Sequence, residues 1–206
     1  MQFIAESHSI GITILENLSD ALGLQEEDRF EHQHRTEAPS TSTAVLQYYP
    51  YERDLPESTS AGHFTHTDTG SVTILFNTKW GLQVCSPDGD RWEYVPPSGN
   101  DVAIVNIGDA LKFMSGYRLK SCLHRVVPCY GKWEDGPRFA TIFFLRPSND
   151  TELTDTEGNR WKAGDWLNKK FLNYRAPHIE QEKTAIATGR KGFVGLWEEQ
   201  AKTPLF

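Results

Sequence analysis

Cysteine is scarce in this chain: three in 206 residues, Cys85, Cys122 and Cys129, with no C-x-x-C spacing. An odd count without paired spacing excludes a disulfide framework and fits reduced thiols, hence a cytoplasmic location. Long apolar runs are missing, and nothing approaches the roughly 18 residues of a membrane span. The opening "MQFIAESHSIGITIL" lacks a basic n-region and carries Glu6 and His8, unlike a signal peptide. Positive charge is in deficit, 21 Lys and Arg against 28 Asp and Glu for a net charge of -7. No Lys/Arg block offsets this, so neither nucleic acid nor a membrane surface is expected as a partner. No internal repeat and no low-complexity tract is visible. What remains is an ordinary globular composition, 38% hydrophobic and 24% charged, long enough for one buried core.

The chain divides into three textures. Residues 1–42 hold a helix expected over 4–24, with Ile10, Ile14, Leu18 and Leu22 four apart, Leu15 alongside and Gly23 at its end. A polar connector follows, whose His32 and His34 read as a solvated face. Residues 43–148 change period. Short strand-like runs span 43–49, 71–76, 81–86, 91–95, 101–107, 110–115, 122–127 and 138–145, separated by turn signals such as "NTKWG", "SPDGD" and "PPSGN". Eight short strands with hardly any helix between them predict a mainly β sandwich, barrel or jelly roll. Residues 149–206 begin as a polar loop and continue as a helix, "AGDWLNKKFLNYR", with Asp165 as its cap and Trp166, Phe171 and Leu172 as packing residues.

Within the β region, "HTD" places His66 and Asp68 two residues apart, on the same side of a strand. His124, in "KSCLHRVVP", is the best third ligand from another strand. Taken singly, each reads more simply as a turn or core residue. Taken together on a jelly-roll background, two imidazoles and a carboxylate match the facial set of non-haem Fe(II) oxygenases, with open positions opposite. Arg138 opens the apolar run "RFATIFFL" and would carry its guanidinium into the interior, which is costly without an anion. A keto-acid carboxylate would satisfy it, as would a local acid such as Glu134 or Asp135.

The ordered set "LQYYP", "HTDTGSVTILF", "GLQV", "VNIGDALKFMSGYRLKSCLHRVVP" and "PRFATIFFLRP", over about residues 44–148, resembles the Fe(II)/2-oxoglutarate-dependent dioxygenases of the isopenicillin N synthase-like superfamily. The resemblance implies a double-stranded β-helix, a distorted jelly roll with an N-terminal helix and C-terminal helices packed on it. It implies Fe(II) held by His66, Asp68 and His124, and 2-oxoglutarate bound by Arg138 and Tyr49. Gln47 stands where many members have a co-substrate asparagine. The implied reaction consumes O2 and 2-oxoglutarate to hydroxylate, desaturate or cyclise a small organic metabolite, with secondary metabolism as the setting.

Two features depart from the family pattern. Ala140 occupies the place of the usual serine in Arg-x-Ser, and the long N-terminal region common in the family is absent ahead of Ile4. The second departure predicts an exposed apolar patch or unpaired strand edge, with a homo- or hetero-oligomer, or a non-catalytic partner-dependent subunit, as alternatives. A zinc hydrolase on the same three ligands is a third reading, without an H-E-x-x-H motif to support it. The substrate pocket is expected from residues 51–63, from Val72 and Ile74, and from a tail in which Phe193 and Trp197 form a lid. Asn106 is a candidate support for the metal ligands, and Cys122 lines the core near them.

Overall fold

The computed structural model describes residues 2–49, 63–87, 91–97, 99, 102–127 and 136–192. Cys129, Trp133, Glu134, Asp135, Phe193 and Trp197, and the loop before His63, lie outside the described residues.

Helix α1 (Gln2–Ala21) buries Ser7, Gly11, Leu15 and Ser19, one line of residues four apart. Ile10, expected in the stripe, is half exposed; Ile14, Leu18 and Leu22 flank the buried line. The centre of this face is small: a Cβ on Gly11 would come within 2.7 Å of Leu145 Cδ2, so a larger residue there would oblige the Leu145 side chain to shift. Leu15, fully buried, anchors it; such a side chain contributes about 1.5–3 kcal/mol by leaving water. Gly23 closes the helix at φ 63°, the left-handed cap read from sequence.

The connector is less polar in space than in sequence. It makes 3-10 turns over Glu26–Asp28 and Phe30–Gln33. His34 is only 3% exposed, contrary to the solvated reading. Its Nδ1–H donates to the Phe30 carbonyl and its Nε2 accepts from Ser71 Oγ, both at 2.7 Å, since a carbonyl can only accept. Burial pushes this imidazole down to about 4. His32 stays near the surface beside Glu26.

Strands β1 (Thr43–Tyr49), β2 (His63–His66), β3 (Val72–Asn77), β4 (Leu82–Cys85), β5 (Trp92–Tyr94) and β6 (Ile104–Ile107) are followed by helix α2 (Asp109–Met114), then β7 (His124–Val126) and β8 (Arg138–Leu145). They form two four-stranded antiparallel sheets, ordered β1-β8-β3-β6 and β2-β7-β4-β5, the crossed order of a jelly roll. The outer face of the first sheet packs Val72, Ile74, Phe143 and Leu145 against Leu15 and Phe30. Its inner face brings Leu75, Ala140 and Ile142 onto Leu82 and Val126 of the second sheet. At the open end of the outer face, Leu46, Tyr48 and Phe139 are 82%, 61% and 58% exposed, with the two rings in contact at 5.3 Å.

Four expectations are corrected here. Residues 110–114 are helix, with Ser115 as its C-cap, not strand: a short apolar run does not distinguish the two, and Ala, Leu, Lys and Met favour helix. The polar loop contains a hairpin, β9 (Glu152–Thr154) with β10 (Arg160–Lys162), whose turn is held by Asp155 accepting from the backbone N–H groups of Glu157 and Asn159. Only Leu153 and Trp161 carry its apolar signal, packing near Trp166. Helix α3 (Ala163–Tyr174) begins at Ala163 with no side-chain cap, so Asp165 sits in its first turn. Phe171 and Leu172 are exposed, while Trp166 and Lys170 are buried. A short helix α4 (His178–Gln181) follows. No helix among the described residues is long and apolar enough to cross a membrane.

Candidate metal centre

His66 and His124 face each other directly across the β2–β7 pair. A register shift between His63 and His66 bends β2 there, as bulges beside functional sites commonly do. Asp68 lies just past the end of β2, not on the strand as the alternation predicts. Its backbone is fixed instead by α2: the Asp109 N–H donates to the Asp68 carbonyl at 2.8 Å. The approach requires Gly108, where a Cβ would meet the Gly70 carbonyl oxygen at 2.3 Å and that of Asp68 at 2.9 Å.

The three side chains converge. Asp68 Oδ1 lies 3.5 Å from His66 Nε2 and 3.8 Å from His124 Nε2, and one ligand atom from each residue falls within 4.8 Å of the others. Each imidazole donates Nδ1–H to a backbone carbonyl, His66 to Phe64 at 2.7 Å and His124 to Cys122 at 3.0 Å. A carbonyl has no proton to give, so the hydrogen sits on Nδ1 and the Nε2 lone pair is directed at the shared point. Asp68 Oδ2 accepts from Thr73 Oγ1 at 2.6 Å and Asn106 Nδ2 at 2.8 Å, which turns Oδ1 inward. Burial alone would raise the Asp68 carboxyl; the adjacent His124 and His66 and the Asn106 hydrogen bond outweigh it and hold the group well below the usual carboxylate range. Burial, then the neighbouring His66 charge, lower His124. A neutral imidazole opposite an ionised carboxylate is the protonation state in which a divalent cation is bound.

The same cavity, partly open to solvent, reaches Arg138 at its other end. The Arg138 side chain is 1% exposed, and none of its three guanidinium nitrogens finds a hydrogen-bond partner among the described residues. It rests over the Tyr49 ring at 4.8 Å. The strand ladder pairs Tyr49 with Arg138 and Gln47 with Ala140, so all four flank one end of the cavity. Tyr49 donates its hydroxyl to Gln47 Oε1 at 2.6 Å, leaving the Gln47 amide hydrogens for another acceptor. The walls between are apolar: Leu75, Leu82, Val126 and Ile142. Val72 and Ile74, expected to line the pocket, point the opposite way into the α1 interface; Thr73 and Leu75 take the inward positions. Cys122 does line the cavity, with its thiol pushed by burial up to about 11, an inert group.

Sequence reasoning missed Thr73 and a second buried group around Thr67, Asp109 and Lys170. Thr73 was legible as a polar residue, like Asn77, on the inward face of β3. Lys170 stands four residues after Trp166 on α3, the one spacing signal the sequence offered for its burial.

The 2OG-Fe(II) oxygenase superfamily model matches residues 40–147. The chain is 43% identical over 189 residues to the 2-oxoglutarate-dependent dioxygenase iboH of Amanita muscaria, covering 91% of this chain and 90% of that protein. It is 42% identical over 189 residues to the 2-oxoglutarate-dependent dioxygenase FG08081 of Gibberella zeae, again 91% of this chain but 55% of the relative's length. Among solved structures, JOX2 in complex with 2OG, Fe, and JA superposes with a TM-score of 0.63 at 27% identity, over 82% of this chain and 50% of that one. The antiparallel jelly roll, the paired histidines and the matched segment lead to one assignment: the chain belongs to the 2OG-Fe(II) oxygenase superfamily.

Proposed function

We propose that this chain is an Fe(II)- and 2-oxoglutarate-dependent dioxygenase that oxidises a small organic metabolite, with secondary metabolism as its setting. The observation that carries the reading is one cavity with a two-histidine, one-carboxylate set at one end and, at the other, a buried guanidinium without a hydrogen-bond partner among the described residues. The donor set fits Fe(II), whose facial triad leaves coordination positions open. The orphaned guanidinium fits a carboxylate, which would supply the acceptors that a buried arginine otherwise lacks. His66, Asp68 and His124 would hold the iron, which when bound supplies O2 activation coupled to oxidative decarboxylation of 2-oxoglutarate.

The chain's own residues do the rest. Thr73 and Asn106 fix the Asp68 carboxylate with one oxygen inward. Arg138 would pair with the far carboxylate of the co-substrate, with the Gln47 amide beside it. Gln47 is itself oriented by Tyr49. The walls of Leu75, Leu82, Val126 and Ile142 exclude water from the reacting centre and accept an apolar substrate body. The apolar lining of the cavity and the relatives from Amanita muscaria and Gibberella zeae named as 2-oxoglutarate-dependent dioxygenases are consistent with a small-molecule substrate.

The test is uncoupled turnover: Fe(II), ascorbate and 2-oxoglutarate with the wild-type chain and with His124→Ala, measuring succinate. Succinate from the wild type alone is expected. Equal background from both would sink the assignment.

A further inference from the structure

Thr67, between the ligands His66 and Asp68, faces away from the metal centre and is 2% exposed. Its polar groups are all engaged by residues distant in sequence. The Thr67 N–H donates to the Ala187 carbonyl at 3.2 Å, and its carbonyl accepts from the Tyr174 hydroxyl at 3.3 Å. Its Oγ1 accepts from Lys170 Nζ at 2.6 Å and donates to Asp109 Oδ2 at 3.1 Å. Lys170 also pairs with Asp109 Oδ2. Lys170 is fully buried, a position an ammonium occupies only when its partners compensate lost hydration. Asp109 in turn holds the Asp68 carbonyl through its own N–H. Tyr174 meets the His66 ring edge-on at 6.2 Å.

Lys170, Tyr174 and Ala187 lie beyond the matched family segment, which ends at residue 147. A buried lysine whose contacts end on the residue between two ligands, and on the acid that fixes one of them, has a geometric consequence. We propose that Lys170, with Thr67 and Asp109, is a positioning group for the metal centre: the C-terminal helix sets the spacing and angle of the His66 and Asp68 side chains through the backbone between them. This rests on the metal reading above. Partners that orient ligands are typically worth about 10–100-fold in metal affinity, and that is the effect expected here.

Co(II), a spectroscopic substitute for Fe(II), tests this on the full chain, with affinity and visible d–d spectrum as readouts and thermal unfolding as a check on folding. Thr67→Val keeps the shape and leaves the Lys170–Asp109 pair intact. It should bind Co(II) at least roughly tenfold more weakly with an altered spectrum, and Thr67→Ser should restore both. Lys170→Met should move the same readouts in the same direction. Since it strands the Asp109 carboxylate and risks misfolding, Thr67→Val is the deciding variant. A wild type that binds Co(II) and a folded Thr67→Val that binds it equally tightly, with the same spectrum, overturn the positioning role alone. A wild type that takes up no Co(II) overturns the metal reading and this inference with it.

Discussion

Replacing Ala140 with serine should tighten 2-oxoglutarate binding. Ala140 is 3% exposed, two residues from Arg138 on the same face of β8 and directly across from Gln47 on β1. A hydroxyl on that Cβ would enter the cavity between the guanidinium and the amide, at the place proposed for the co-substrate's far carboxylate. A hydrogen bond to a charged acceptor contributes about 1.5–3 kcal/mol, which corresponds to roughly 10–100-fold in Kd. The folded state should tolerate the change within about 1 kcal/mol, because the Gln47 side chain opposite can partner the new hydroxyl. Gln47→Ala should weaken binding by a similar factor, and the double variant Gln47→Ala with Ala140→Ser should fall near wild type. The assay is anaerobic titration of the Fe(II)-loaded chain with 2-oxoglutarate, followed by its metal-to-ligand charge-transfer band. If neither single variant moves Kd by more than about twofold, the carboxylate does not sit at this end of the cavity and the assignment of Arg138 is wrong.

Two further perturbations separate stability from function. Arg138→Met removes a buried charge without hydrogen-bond partners among the described residues while keeping its length, so the ligand-free protein should gain about 1–2 kcal/mol, read as a Tm some 2–8 °C higher. The same variant should lose more than about a hundredfold in 2-oxoglutarate affinity, since two charge-assisted hydrogen bonds go at once. A lower Tm would contradict the uncompensated state of the guanidinium. Acid lability should arise in part from His34, which burial pushes from the ordinary histidine value of 6.5 down to about 4. The unfolded chain binds the proton more readily, so stability is full above 6.5, declines as pH falls and is lost by about pH 4, up to roughly 3 kcal/mol in all. Denaturant titrations between pH 7 and 4 should show a shallower decline for His34→Gln, and equal slopes would count against His34.

The convergence of His66, Asp68 and His124 and the burial of Arg138 were suggested in sequence by a polar pair ahead of an apolar strand and a cation at the start of another. A mainly β architecture was legible from strand-length periodicity broken by turn residues, and its jelly-roll form from the family resemblance. What escaped did so for identifiable reasons. Residues 110–115, "ALKFMS", are too short for their apolar positions to separate period 2 from period 3.6. The 152–162 hairpin has only Leu153 and Trp161 to mark its inner face, and its turn depends on Asp155 side-chain bonds invisible to hydropathy. The buried line of α1 runs through two serines and a glycine, which no apolar stripe would select. Lys170 was hidden by its own type, since lysine on a helix is normally solvated and only a partner distant in sequence makes burial tolerable.

The face-to-face placement of His66 and His124 makes coordination a matter of bookkeeping between two ribbons. Side chains alternate sides with every step along a strand, so sliding one ribbon past the other by a single residue would bring a threonine, Thr65 or Thr67, opposite His124. These ribbons are only four and three residues long, too short to hold their own alignment. The anchor on the far side is Val84 of β4, which sits opposite His124 and fixes β7 from the other edge. Changes around residue 84, remote from any ligand atom, therefore bear on whether an ion is held at all.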